Sequence, residues 1–170
     1  MVKTILYATD LGLYGSYLLQ HVMSLASHFD ARVVVVHAVD PLGVFAESVL
    51  ETYLPEESKE ELKQGGLDLV LELIRERVLD AFKEELIDGR YDVDRIEEVL
   101  VATGKPIDVI LGAVDKCEAD MIVAGNRSHE PKLTGMMGSV ANKLVSISPV
   151  PIFLVPMWNG NSESVSNSTH

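Results

Sequence analysis

Gly125, Gly138 and Ser139 stand where an anion can be held. Met121–Ala124 is a short apolar run that reads as a strand, and it ends directly on Gly125-Asn126-Arg127-Ser128-His129. Ten residues after Ser128 comes Gly138-Ser139, at the head of a stretch with helical spacing. Free backbone N–H groups at a helix N-terminus carry partial positive charge and point at an anion. Glycine lets the backbone approach closely, and Ser139 adds a hydroxyl donor. Arg127, Lys132 and Lys143 add positive charge. This is not a Walker loop, because no GK[ST] tripeptide occurs. A plainer reading stands beside it, in which the glycines shape turns and the serine caps a helix.

Other chemistry-bearing residues are sparse. Asp10 closes the first apolar run, either as a ligand contact or as the cap of the turn that follows. His37 follows four valines and reads as a packed strand residue rather than a base. The lone Cys117 reads as a small packing residue and excludes both a disulfide framework and a multi-cysteine metal site. There is no HExxH, no nucleophile elbow and no acidic cluster at metal-ligand spacing. The expectation is a binding module rather than an enzyme.

The elements that must position these residues alternate. Val2–Thr9, Ala31–Val39, Ile96–Val101, Met121–Ala124 and Ile152–Val155 read as strands. The run VVVV within Ala31–Val39 is too continuously apolar for a one-sided strand and fits a central parallel one. Tyr14, Leu18, Val22, Leu25 and Phe29 mark one face of a helix. Leu67, Val70, Leu71, Ile74, Val78, Phe82 and Leu86 mark the clearest one, stopped by Asp88-Gly89. Before it, Val44–Tyr53 suggests a short helix, Pro55-Glu56-Glu57-Ser58 a helix start, and Gly65-Gly66 a break. Pro106 opens another helix, with Ile107, Ile110, Leu111 and Val114 as its stripe, and the last helix runs from about Gly138 to Ser148. The expected fold is α/β: a five-stranded, mostly parallel, doubly wound, Rossmann-like sheet. Ligands of such sheets sit beyond the carboxyl ends of the strands, where the strand order switches.

The whole chain has 170 residues, about one domain, and a net charge of −12. That charge disfavours nucleic acid and anionic membrane surfaces as partners. It is unevenly spread. Residues 47–98 hold 17 acidic and 7 basic residues, whereas 121–150 hold Arg127, Lys132 and Lys143 against Glu130 alone. The candidate phosphate stretch is therefore locally positive. No apolar run reaches the roughly 18 residues of a membrane span. Met1–Leu6 is too short for a signal peptide, so a cytoplasmic protein without membrane insertion is expected.

The pattern Gly125-x2-Ser128-x9-Gly138-Ser139-Val140-Ala141, followed by Pro151-Ile152-Phe153-Leu154-Val155-Pro156, resembles the universal stress protein family. So do the opening ILYATD, the stretch VVVVHAVD, and the run from Gly104-Lys105-Pro106 through Gly125. The resemblance covers residues 2–156. It implies the adenine nucleotide alpha hydrolase-like fold, with residues 1–156 as the domain and 157–170 as a flexible tail. One branch of the family binds ATP through G-x2-G-x9-G-[S/T]; Ser128 stands here in place of the second glycine. That serine either contacts phosphate through its hydroxyl or crowds it.

By match, the resemblance assigns Ala8, Thr9 and Asp10 to the adenine side and Ala38 to the adenine edge. It assigns Gly125, Ser128, Gly138, Ser139 and Val140 to ribose and phosphate, with Arg127 beside them. The implied ligand is ATP, or AMP or ADP, with Mg or Mn bridging the phosphates. The implied role is a nucleotide-dependent regulator or sensor in stress response, with an unidentified regulatory protein as partner. Two alternatives stay open: a slow ATPase or nucleotide hydrolase, and a partner-binding member in which Ser128 has abolished nucleotide binding. The resemblance also implies a homodimer through Val150–Val155, whose free edge needs cover.

Overall fold

The computed structural model describes residues 1–12, 15–39, 56–86, 89–127 and 137–157, with only the backbone of 56–67. Five strands form one sheet: β1 (Thr4–Ala8), β2 (Arg32–Val39), β3 (Ile96–Thr103), β4 (Met121–Gly125) and β5 (Ile152–Val155). Their order is β3-β2-β1-β4-β5, and every pairing is parallel. Among the described residues, four α-helices connect them: α1 (Gly15–Phe29), α2 (Glu56–Glu85), α3 (Pro106–Cys117) and α4 (Ser139–Ile147). The chain winds outward from β1 to β3 and returns to β4 on the other side of β1. The switch in strand order therefore lies between β1 and β4.

The valine run explains itself in the core. Val33 and Val35 join Ile5, Tyr7, Val99 and Val123 on one face, under Leu19, Val22 and Met23 of α1 and Val78 and Phe82 of α2. Val34 and Val36 join Leu6, Leu100 and Ile122 on the other, under Ile110 and Val114 of α3 and Leu144 of α4. Both faces of β2 are covered along Val33–Val36, so alternation is lost and all four positions are apolar. Cys117 is buried in the second cluster, and desolvation raises its thiol above the usual value.

Some expectations are corrected. Gly65-Gly66 does not break the chain; α2 runs through it. Glycine lowers helix propensity by about 1 kcal/mol against alanine but keeps its N–H, so the hydrogen-bond ladder survives it. Phe29 is 37% exposed rather than part of the buried stripe, which is instead Leu18, Leu19, Val22, Met23 and Ala26. At the last turn of α1 the stripe has rotated off the sheet. Val44–Tyr53 lies outside the described residues. β3 extends to Thr103 and hands over to Gly104, at φ +146°, a conformation that favours glycine.

The amino end of the sheet is braced by charge. Arg32 donates from Nε to Thr4 Oγ1 at 2.9 Å and from Nη2 to the Cys117 carbonyl at 3.2 Å. Its Nη1 reaches both carboxylate oxygens of Glu97 at 3.0 and 3.1 Å. Arg95 pairs with Asp30 at 3.0 Å beside it. No helix among the described residues is long and apolar enough to cross a membrane.

Candidate functional site

The opposite, carboxyl end of the sheet holds a cavity of about 360 Å³ at the switch between β1 and β4. β1 supplies Ala8, with Thr9 and Asp10 just beyond it; β2 supplies Val36, His37 and Ala38; β4 supplies Ala124 and Gly125, with Arg127 just beyond. The head of α4 supplies Gly138, Ser139, Val140 and Ala141, and that of α3 Pro106 and Ile110. Nine of the ten residues that the resemblance assigns to the nucleotide thus line one cavity: Ala8, Thr9, Asp10, Ala38, Gly125, Arg127, Gly138, Ser139 and Val140. Ser128 lies outside the described residues, as does Lys132. Lys143 is exposed on α4 and does not line the cavity.

The cavity is amphipathic. Leu18, Val36, Ile110 and Leu144 form apolar walls, while Thr9, Asp10, His37, Arg127 and Ser139 bring polar groups. The polar side centres on the N-terminus of α4. Gly138 is its N-cap, and the Gly138 N–H is already taken by the Asn126 carbonyl at 2.8 Å. The N–H groups of Ser139, Val140 and Ala141 have no partner among the described residues. The Arg127 Nε is buried and likewise unpaired among them. Three free N–H groups, a helix N-terminus and a guanidinium favour an anion there.

At the other side of the cavity the backbone is fixed by its own side chains. Asp10 Oδ1 accepts the Gly12 N–H at 2.9 Å, so the capping role is realised. Oδ2 has no partner among the described residues. Thr9 Oγ1 accepts the Leu11 N–H at 3.0 Å. The His37 Nδ1 lies 2.9 Å from the Thr9 carbonyl. A carbonyl only accepts, so Nδ1 carries the proton and donates, which ties the ends of β1 and β2 together. Beneath them Tyr7 is fully buried, and desolvation pushes its hydroxyl up to about 12. It is neutral across the ordinary pH range and adds no charge to the cavity.

Two residues went unnoticed in the sequence. Asn126 bonds to three parts of the chain, and Met157 lines the cavity although the sequence places it in the tail. Asn126 occupies an unspecified position of the Gly125-x2-Ser128 pattern and Met157 belongs to no periodic pattern, so neither carries a signal in the residues alone.

A family model for the universal stress protein family matches residues 1–156. A universal stress protein of Thermus aquaticus is 30% identical over 155 residues, 91% of this chain and 99% of that protein. Among solved structures, a universal stress protein in complex with cAMP superposes with a TM-score of 0.59 at 16% identity, covering 92% of this chain and 98% of that one. An Arabidopsis thaliana member with AMP bound superposes with a TM-score of 0.53 at 13% identity, covering 96% and 97%. The parallel sheet, the cavity at its switch point and the match along residues 1–156 agree: this chain belongs to the universal stress protein family.

Proposed function

We propose that this chain is a universal stress protein that binds ATP and acts in the cytoplasm as a nucleotide-dependent regulatory or sensor module. One observation carries the reading. Ser139, Val140 and Ala141, whose N–H groups have no partner among the described residues, and Arg127, whose buried Nε has none among them either, line the same cavity as the apolar walls and the β1 and β2 ends. That pairing of an apolar slot with an anion cradle suits a flat base joined to phosphate. The adenine nucleotides in two relatives' structures support the ligand class. In this reading the nucleotide is held and not turned over, and a homodimer forms through Val150–Val155.

The test is direct. Protein purified without added nucleotide is denatured, its supernatant is chromatographed, and the refolded or stripped protein is titrated with Mg-ATP by calorimetry. Carried-over adenine nucleotide or saturable binding is expected. Gly138→Val should weaken binding at least about tenfold, a loss of about 1.4 kcal/mol. Gly138 has φ −60° and ψ 152°, which valine adopts, so the substitution puts a side chain at the cradle without straining the backbone, and a circular-dichroism spectrum checks that the fold is kept. Absence of nucleotide together with no heat from Mg-ATP would sink the reading. ADP release at many turnovers per minute would replace it with the hydrolase alternative.

A further inference from the structure

Asn126, between Gly125 and Arg127, makes three hydrogen bonds to three different parts of the chain. Its N–H donates to the Val155 carbonyl at 3.0 Å, which carries the β4–β5 pairing one residue past Gly125. Its carbonyl accepts the Gly138 N–H at 2.8 Å, which seats the N-cap of α4. Its side-chain Oδ1 accepts the Met157 N–H at 2.9 Å, 31 positions further along the chain. The first two bonds are backbone bonds that any residue but proline can make. The third needs a side-chain acceptor.

Met157 is the wall that this third bond holds. It lines the cavity, and its Sδ sits where a Cβ on Gly125 would lie only 3.2 Å away. Gly125 thus leaves the room that Met157 fills. Pro156 has no N–H of its own to give, so the Met157 N–H is the first donor after β5 that can tie the chain back.

We propose that Asn126 is a positioning residue of the cavity: its side chain holds Met157 in place as the wall nearest the chain's end, and sets ligand affinity through Met157. The effect on affinity rests on the adenine-nucleotide reading, whereas the hold on Met157 does not. A residue that acts through another shows it by non-additivity: once the Met157 side chain is gone, losing the Asn126 bond to the Met157 N–H has no wall left to displace.

Two measurements decide it. In the ligand-free protein, followed by NMR, the Met157 amide should be protected from hydrogen exchange. Asn126→Ala should abolish that protection while leaving the Gly138 amide protected, because the backbone bond survives. In Mg-ATP calorimetry, Asn126→Ala and Met157→Ala should each weaken binding about five- to tenfold, and the double variant no more than the weaker single one. Met157→Ala lies past the last strand, so it removes the wall and leaves every strand residue in place. Unchanged Met157 exchange in Asn126→Ala, additive losses, or wild-type affinity in either single variant would overturn the proposal. If the wild-type protein gives no heat with Mg-ATP, the adenine-nucleotide reading fails, and the exchange measurement still decides whether Asn126 holds Met157.

Discussion

A carboxylate at the foot of the sheet ties down the first strand. Asp120 Oδ2 accepts the N–H groups of Lys3 and Thr4 at 2.7 and 2.9 Å. Those bonds, the one from Lys3 first, hold its carboxyl below the ordinary value of 3.8. The folded state therefore favours the ionised form. The stability this contributes is complete above the unfolded value and is lost as pH falls through the lower folded one. Acidification below about pH 4 should thus lower the melting temperature, and Asp120→Asn should flatten that slope while lowering Tm at pH 7 by about 2–4 °C. Unchanged Tm and unchanged acid slope in calorimetric scans would show the two bonds to be idle. Residues of this kind were hidden in the sequence, because their partners are set by strand pairing across more than a hundred positions. Asp10, Gly125 and Gly138 were legible for the opposite reason: each stands at or just past the end of a strand or just before a helix, where parallel sheets place their ligands. The sequence also named Asp10's other role as a turn cap, and the Asp10–Gly12 bond realises it.

Whole elements were easier to read than their edges. All five strands and the four described helices follow from apolar period and from the punctuation of Gly104, Pro106 and Gly138. Boundaries moved by one or two residues, as with β3 running on to Thr103, because pairing with β2 extends a strand past its last bulky residue. The glycine pair in α2 misled, because it marks weak propensity rather than a stop. α4 matters most to the cavity, and its one fully buried leucine, Leu144, fixes it to the sheet beside Leu6 and Ile122. Leu144→Ala should cost about 3 kcal/mol in denaturant unfolding, the usual loss for a buried leucine with the void it leaves. It should also loosen the helix head that carries the anion cradle. A loss below about 1 kcal/mol would mean that the sheet face closes over the gap or that α4 is held elsewhere.

At the scale of the molecule, the two edges of the sheet differ in kind. β3 carries exposed Glu97 and Glu98, charges that discourage another strand from adding there. β5 is IFLV, and its Phe153 is 40% exposed. An apolar edge opposite a charged one is what the proposed homodimer through Val150–Val155 requires. Light scattering at micromolar concentration should give about twice the 18.6 kDa chain mass. Phe153→Lys should return the protein to a monomer. A wild-type protein that scatters as a single chain would remove the dimer. The net charge of −12 is no obstacle to an anionic ligand, since 17 of the 26 acidic residues fall in 47–98, whereas 121–150, which holds the head of α4, contains Glu130 alone.

The two ends of the sheet divide labour just as its edges do. Arg32, Arg95 and Asp120 brace the amino end with bonds between strands, a neighbouring turn and α3's last residue. The cavity end, among the described residues, is tied by turn caps, one histidine and one asparagine. Stability and recognition are therefore written in different residues. A redesign for a different ligand thus belongs at the cavity end, while the braced end goes on holding the sheet together.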